Sequence, residues 1–279
     1  MTMLSACGGP TPATGGTTAA GASPSAASTT SSAMNTSTVP GEVTIVATDS
    51  GYDAPASIPS GVTTFRLINR GTTFHWAQLA KIPADHSIAE LEAGTTQGPN
   101  PIPSWLLLVG GPNTVDPGDS STATLNLDPG QYAVVLFNPS AKNLVKPFQV
   151  TSNKTSATEP AADMTIKTVD YGYEFATPVK SGKHTVRVEN VGPQAHEVVL
   201  VQLLPGKTVQ EYIEWEKGGE KGAAPGKSYG GLTALSKGLH GYFTTDLTPG
   251  NYLVLCYVPD ARDGKPHYLH GMYRGFSVS

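Results

Sequence analysis

The chain repeats itself, and the repeat limits the fold more than any composition figure does. Residues 43–75 align with residues 164–196 without a gap, at a constant offset of 121, and 12 of the 33 positions are identical. The identities include Asp49/Asp170, Gly61/Gly182, Asn69/Asn190, Gly71/Gly192 and His75/His196. Further along, Leu127-Asp-Pro-Gly-Gln-Tyr132 matches Leu247-Thr-Pro-Gly-Asn-Tyr252. Self-similarity at a fixed offset means one structural unit used more than once. The expected layout is a first unit at residues 42–150, a linker at 151–163 and a second unit at 164–279.

Each unit reads as short strands between turn residues. Residues 62–68 (VTTFRLI) and 185–189 (TVRVE) alternate with the strand period and follow Ser-Gly turns. Residues 196–203 and 252–256 are rich in Val and Leu, as buried strands are, and Pro249-Gly250 marks a turn before the second of them. Short helices are predicted over 87–93 and 208–217. With 31 Gly and 23 Pro the chain is turn-rich throughout. The predicted class is all-β: two tandem Greek-key β-sandwiches or barrels.

A different kind of chain precedes the units. Leu4-Ser5-Ala6-Cys7 resembles a bacterial lipobox, the pattern ahead of a lipidated cysteine. Only three residues come before Leu4 and none is cationic, so the true signal peptide is expected to start further upstream. From Gly8 to Pro40, 30 of 33 residues are Ser, Thr, Ala, Gly or Pro, without a charge or an aromatic ring. Such a segment buries too little apolar surface to offset its ordering entropy, so residues 1–41 are expected to form a disordered tether. Its r.m.s. span is ~30 Å. One acyl chain holds a protein to a membrane only marginally, so the expected anchor at Cys7 is multiply acylated. The expected location is extracytoplasmic, at a bacterial cell surface or periplasm.

The net charge is −4 and no segment is basic, which argues against a nucleic-acid partner. No run of ~18 apolar residues occurs, so contact with a membrane is expected only through the lipid anchor. The two cysteines, Cys7 and Cys256, supply neither a disulfide framework nor a four-thiolate zinc site.

Three pieces of the second unit carry chemistry. They are Asn190-Val-Gly-Pro-Gln-Ala-His196 before an apolar strand, the Tyr-x-x-x-Cys spacing of Tyr252 and Cys256, and His267-Tyr-Leu-His270-Gly271-Met272. Together they resemble the cupredoxins, the plastocyanin-like blue-copper domains. The resemblance implies one copper ion held by His196, Cys256 and His267 with Met272 axial, and His270 as an alternative ligand. A trigonal His₂Cys set with a long, weak axial Met suits both copper oxidation states and carries one electron. The cysteine must bind as a thiolate, and ligation drives its deprotonation. Strand period 2 places Tyr252, Val254 and Cys256 on one face of their strand.

One feature departs from the family. Cupredoxins place two to four residues between the cysteine and the second histidine, whereas residues 257–266 make ten here. The added closure entropy is only ~1 kcal/mol, so the loop threatens preorganisation rather than existence of a site. The alternative is a metal-free cupredoxin-fold binding or adhesion module of the cell envelope, with Cys256 packed as a small hydrophobe. The first unit is read as lacking a metal site, because Leu136 stands in the place of Cys256, followed by Phe137. His86, His184 and His240 read as surface histidines, and residues 211–220 as a solvated acidic face. The seven histidines contain no His-x-His pair of the kind that multicopper oxidases and copper nitrite reductases use, and no hydrolase motif occurs. A non-enzymatic protein is expected, working with a redox partner or a copper-handling protein of the envelope.

Overall fold

Among the described residues, eight strands occur in each repeat, in the same order. The structure is a computed structural model that describes residues 41–94, 101–137 and 143–279. The expected tether and its Cys7 lie outside the described residues. The first repeat holds β1 (Glu42–Thr48), β2 (Gly51–Asp53), β3 (Ser57–Asn69) and β4 (Gln78–Ile82), then β5 (Leu107–Gly110), β6 (Ser120–Leu127), β7 (Gly130–Leu136) and β8 (Leu144–Lys154). The second holds β9 (Met164–Val169), β10 (Gly172–Glu174), β11 (Gly182–Asn190) and β12 (His196–Leu203), then β13 (Gly226–Leu235), β14 (His240–Leu247), β15 (Gly250–Leu255) and β16 (Tyr273–Val278).

One layer of each repeat runs β2-β1-β3-β6 or β10-β9-β11-β14, the other β5-β4-β7-β8 or β13-β12-β15-β16. The chain crosses between layers after β3, β5 and β6, and again at the matching places in the second repeat. These crossings make each repeat a Greek-key sandwich, the all-β class that the repeat predicts. Phe65 and Leu67 of β3, like Val186 and Val188 of β11, turn inward to the core. Helices α1 (Ile88–Ala93) and α2 (Val209–Lys217) fill equivalent connections. Each starts with a capping box, Ser87 with Glu90 and Thr208 with Glu211. Strand β8 continues to Lys154, four residues into the expected linker, because Thr151 and Lys154 pair with Pro59 and Ser60.

Both layers continue from one repeat into the other. Strand β6 pairs antiparallel with β14 through Thr124↔Tyr242 and Ala123↔Phe243. The hydroxyls of Thr122 and Thr244 meet at 2.8 Å on the same seam. Ala123 faces Phe65 and Phe243 faces Val186, so the two occupy equivalent positions related by a local two-fold axis. The second layer joins where Val109 of β5 meets Leu235 of β13. Reciprocal bonds run from the Asn113 amide to the Gly231 carbonyl (3.3 Å) and from the Thr233 amide to the Gly111 carbonyl (2.9 Å). Gly231 has φ +125°, and a Cβ there would overlap the Val198 carbonyl of the neighbouring β12, so only glycine fits at this point of the seam strand.

Candidate metal centre

His196 opens β12, and the turn before it is built by a single side chain. The Asn190 amide donates to the carbonyls of Gln194 and Leu235, both at 2.7 Å, while its Oδ1 accepts the Gly192 N–H at 3.0 Å. Asn69 does the same for Thr73, Val115 and Gly71 in the first repeat. An Asx-type staple thus delivers a histidine to the end of a strand in both units. Each histidine donates from Nε2 to an aspartate: His196 to Asp170 at 2.7 Å, His75 to Asp49 at 3.2 Å. Gly192 is required beside this pair. A Cβ there would stand 2.8 Å from His196 Nε2 and 2.9 Å from Asp170 Oδ1.

Cys256 follows β15 directly and is fully buried. Its backbone is stitched to the segment that carries the remaining residues of the motif. The Cys256 N–H donates to the Met272 carbonyl (3.3 Å), and its carbonyl accepts the Tyr268 N–H (2.9 Å). His267 and Tyr268 begin a one-turn 3₁₀ helix, His267–His270, and the Met272 N–H donates back to the His267 carbonyl at 3.0 Å.

The ten-residue loop between Cys256 and His267 is closed on itself. Pro259 bridges Pro266, the Asp260 N–H reaches the Lys265 carbonyl at 2.8 Å, and the His267 N–H reaches the Val258 carbonyl at 2.9 Å. At its turn the fully buried Asp260 accepts from the Tyr171 hydroxyl, the Arg262 N–H (2.8 Å) and the Gln194 amide (3.1 Å). These bonds hold Asp260 ionised, well below the usual carboxylate range, against the opposing effect of desolvation. The long loop is a hydrogen-bonded hairpin, so its length does not leave His267 loosely held.

Three of the predicted ligands converge. His196 Nδ1 lies 3.1 Å from His267 Nδ1, and Cys256 Sγ lies 3.5 Å from that same nitrogen. All three atoms fall within 4.8 Å of one another, and all three residues are fully buried. The opposite ring nitrogens explain why the lone pairs point inward. His196 Nε2 donates to Asp170, and His267 Nε2 donates to Gln194 Oε1 at 3.4 Å, an oxygen identified by the Ala261 N–H that it also accepts. In the tautomers that these acceptors favour, both Nδ1 atoms are unprotonated, and they face each other at 3.1 Å.

Burial pushes the Cys256 thiol well up and the His267 imidazole down to about 4; it also lowers His196, partly opposed by Asp170. The metal-free centre is thus neutral near pH 7. One ion ~2.0–2.3 Å from nitrogen and sulfur donors bridges separations of up to about 4 Å, and the 3.1 Å and 3.5 Å separations from His267 Nδ1 fall within that reach.

Met272 is fully buried beside the cysteine in the same core cluster. His270 points elsewhere: it is half-buried and its Nε2 meets Asp263 at 3.1 Å. In the first repeat Leu136 ends β7 where Cys256 follows β15, and His75 retains only its aspartate. His86 stacks on Trp105 with ring centroids 4.2 Å apart, and His184 and His240 pair with Asp163 and Glu159. Among the functional side chains, Asp170 and Asn190 stand out in the sequence only as repeat identities. Gln194, Tyr171 and Asp260 carry no sequence signal of their support for the histidines.

No protein-family model matches the chain, and no curated protein matches it. Among solved structures it is similar to the dithionite-reduced auracyanin of Roseiflexus castenholzii, at 22% identity over 43% of this chain and 99% of that one, with a TM-score of 0.30. Auracyanin B is similar at 18% identity over 44% of this chain and 93% of that one, TM-score 0.29. A multicopper oxidase is similar over 85% of this chain and 88% of its own, at 15% identity and a TM-score of 0.24. With identities under 25% and TM-scores below 0.5, these likenesses bear on no step below.

Proposed function

We propose that the second repeat binds one copper ion through His196, Cys256 and His267, with Met272 as the weak axial ligand. The carrying observation is the inward-facing set of His196 Nδ1, His267 Nδ1 and Cys256 Sγ within one buried cluster. Bound copper would supply a single-electron couple in a water-excluded site. The chain's own residues do the rest. Asp170 and Gln194 fix the tautomer and tilt of the two imidazoles, the hairpin holds His267, and the core around Cys256 excludes water. We read the protein as an electron carrier or copper holder. On this reading the chain is cupredoxin-like and serves a redox or copper-handling partner of the cell envelope, held at the membrane by a lipid on Cys7.

The test is addition of Cu(II) to the purified chain carrying Cys7→Ser, which leaves Cys256 as its one thiol. An intense visible thiolate-to-copper band, one copper per chain and loss of the band in Cys256→Ser are expected. A colourless protein that takes up no metal would falsify the reading and leave a metal-free scaffold. The anchor is tested separately, by membrane partitioning that Cys7→Ala abolishes.

A further inference from the structure

A cleft of about 460 Å³ lies where the two repeats meet, and Glu197 and Tyr257, which follow His196 and Cys256 in the chain, are among its lining residues. Its walls are aromatic. Phe74, Trp76 and Phe137 come from the first repeat, and Tyr212, Trp215 and Tyr257 from the second. Phe74 and Trp76 stack with centroids 6.2 Å apart; across the cleft, Tyr212 and Trp215 sit 5.5 Å apart on α2. Four acidic residues, Asp116, Glu197, Glu216 and Glu220, also line it, and no Lys, Arg or His does among the described residues.

Glu197 and Glu216 are buried, yet neither forms an ion pair among the described residues. Glu197 accepts only neutral donors, the Tyr257 N–H at 2.9 Å and the Asn113 amide at 3.1 Å. Glu216 accepts the Tyr257 hydroxyl and is pushed up by burial and by the charge of Glu220. Buried carboxyls are ordinarily paired with a cation, and here the chain provides none.

Aromatic faces attract cations, and carboxylates attract them more strongly. We infer that the inter-repeat cleft binds a small organic cation, an alkylammonium. The ammonium sits among the rings and beside Glu216. The site does not depend on the metal reading, since no copper ligand lines the cleft.

The experiment uses acetylcholine as a probe, not as a presumed ligand, against its neutral carbon isostere 3,3-dimethylbutyl acetate. Both are titrated into the metal-free chain and followed by tryptophan fluorescence and calorimetry. Expected are saturable 1:1 binding of the cation, at least tenfold weaker binding of the isostere, and at least tenfold loss in Glu216→Gln. Glu220→Gln, at the exposed rim, weakens binding less and guards against a folding defect in the first variant. Equal affinity for the charged and neutral probes overturns the inference, and so does the absence of saturation by the cation. Failure of copper uptake leaves this result untouched, so the two readings fail separately.

Discussion

The Nδ1 atoms of His196 and His267 face one another because the other nitrogen of each ring is engaged elsewhere. Removing one of those engagements tests how far orientation sets affinity. Asp170→Asn leaves His196 free to adopt the other tautomer and should weaken copper binding ~10–100-fold, measured by chelator competition. Asp49→Asn, the equivalent change in the first repeat, should leave copper affinity unchanged. Gly192→Ala forces a methyl against His196 Nε2 and Asp170 Oδ1, both under 3 Å away. That overpacking should cost about 1–3 kcal/mol of stability and also weaken metal binding. Wild-type behaviour in Gly192→Ala would show that the pair can move aside. At this scale the residues that cluster, His196, Cys256 and His267, were legible in the sequence, because few side chains bind soft metals. Their supports were not, because an aspartate or glutamine held by tertiary contacts looks like any other polar residue.

Between residue and molecule, the Asn-stapled turn is the element that both repeats share. Asn69 and Asn190 are each buried and satisfy three backbone groups. Replacing either with Ala should cost about 2–4 kcal/mol, since buried carbonyls and an amide lose their partners. Denaturant melts should show similar losses for the two variants, while only Asn190→Ala shifts the copper titration. Helix α2 gives a second test. Residues 211–220 were expected to be a solvated acidic face; Glu211, Glu214 and Glu220 are exposed, and the structure corrects the expectation at Glu216, which turns inward under Tyr212 and Tyr257.

The acidic spacing of that segment does not reveal which glutamate the helix turns inward. Burial raises Glu216 above its ordinary value of 4.5, so the folded state holds this proton more tightly than the unfolded one. Its contribution to stability is therefore full below pH 4.5 and lost as pH rises through the folded value. Glu216→Gln should gain Tm relative to the wild type as pH increases from 4.5 to 8. A difference that is flat with pH would rule out that role for the carboxyl. The ten-residue loop follows the same pattern: its length is plain in the sequence, its closure through Asp260 is not.

The whole molecule behaves as one body from Glu42 to Ser279, because each layer passes from one repeat into the other. Thermal unfolding followed by tryptophan fluorescence and by circular dichroism should therefore give one coincident transition. Phe65→Ala in the first repeat, expected to cost about 3–5 kcal/mol, should lower the temperature at which the second repeat melts. Two separable transitions would mean that the seam carries no cooperativity. The offset of 121 announces two like units but not how they join. Joining rests on strand edges such as Thr122 and Thr244, whose polar side chains read as solvent-facing.

At the axis of that seam, Ala123 lies opposite Phe243. A dimer of identical subunits would have to set the same residue against itself there, two rings colliding or two methyls leaving a void. A fused gene escapes that symmetry, and this one has used the freedom to fit a large side chain against a small one. The seam of this chain is therefore asymmetric at its axis, an arrangement that two copies of either half alone would not reproduce.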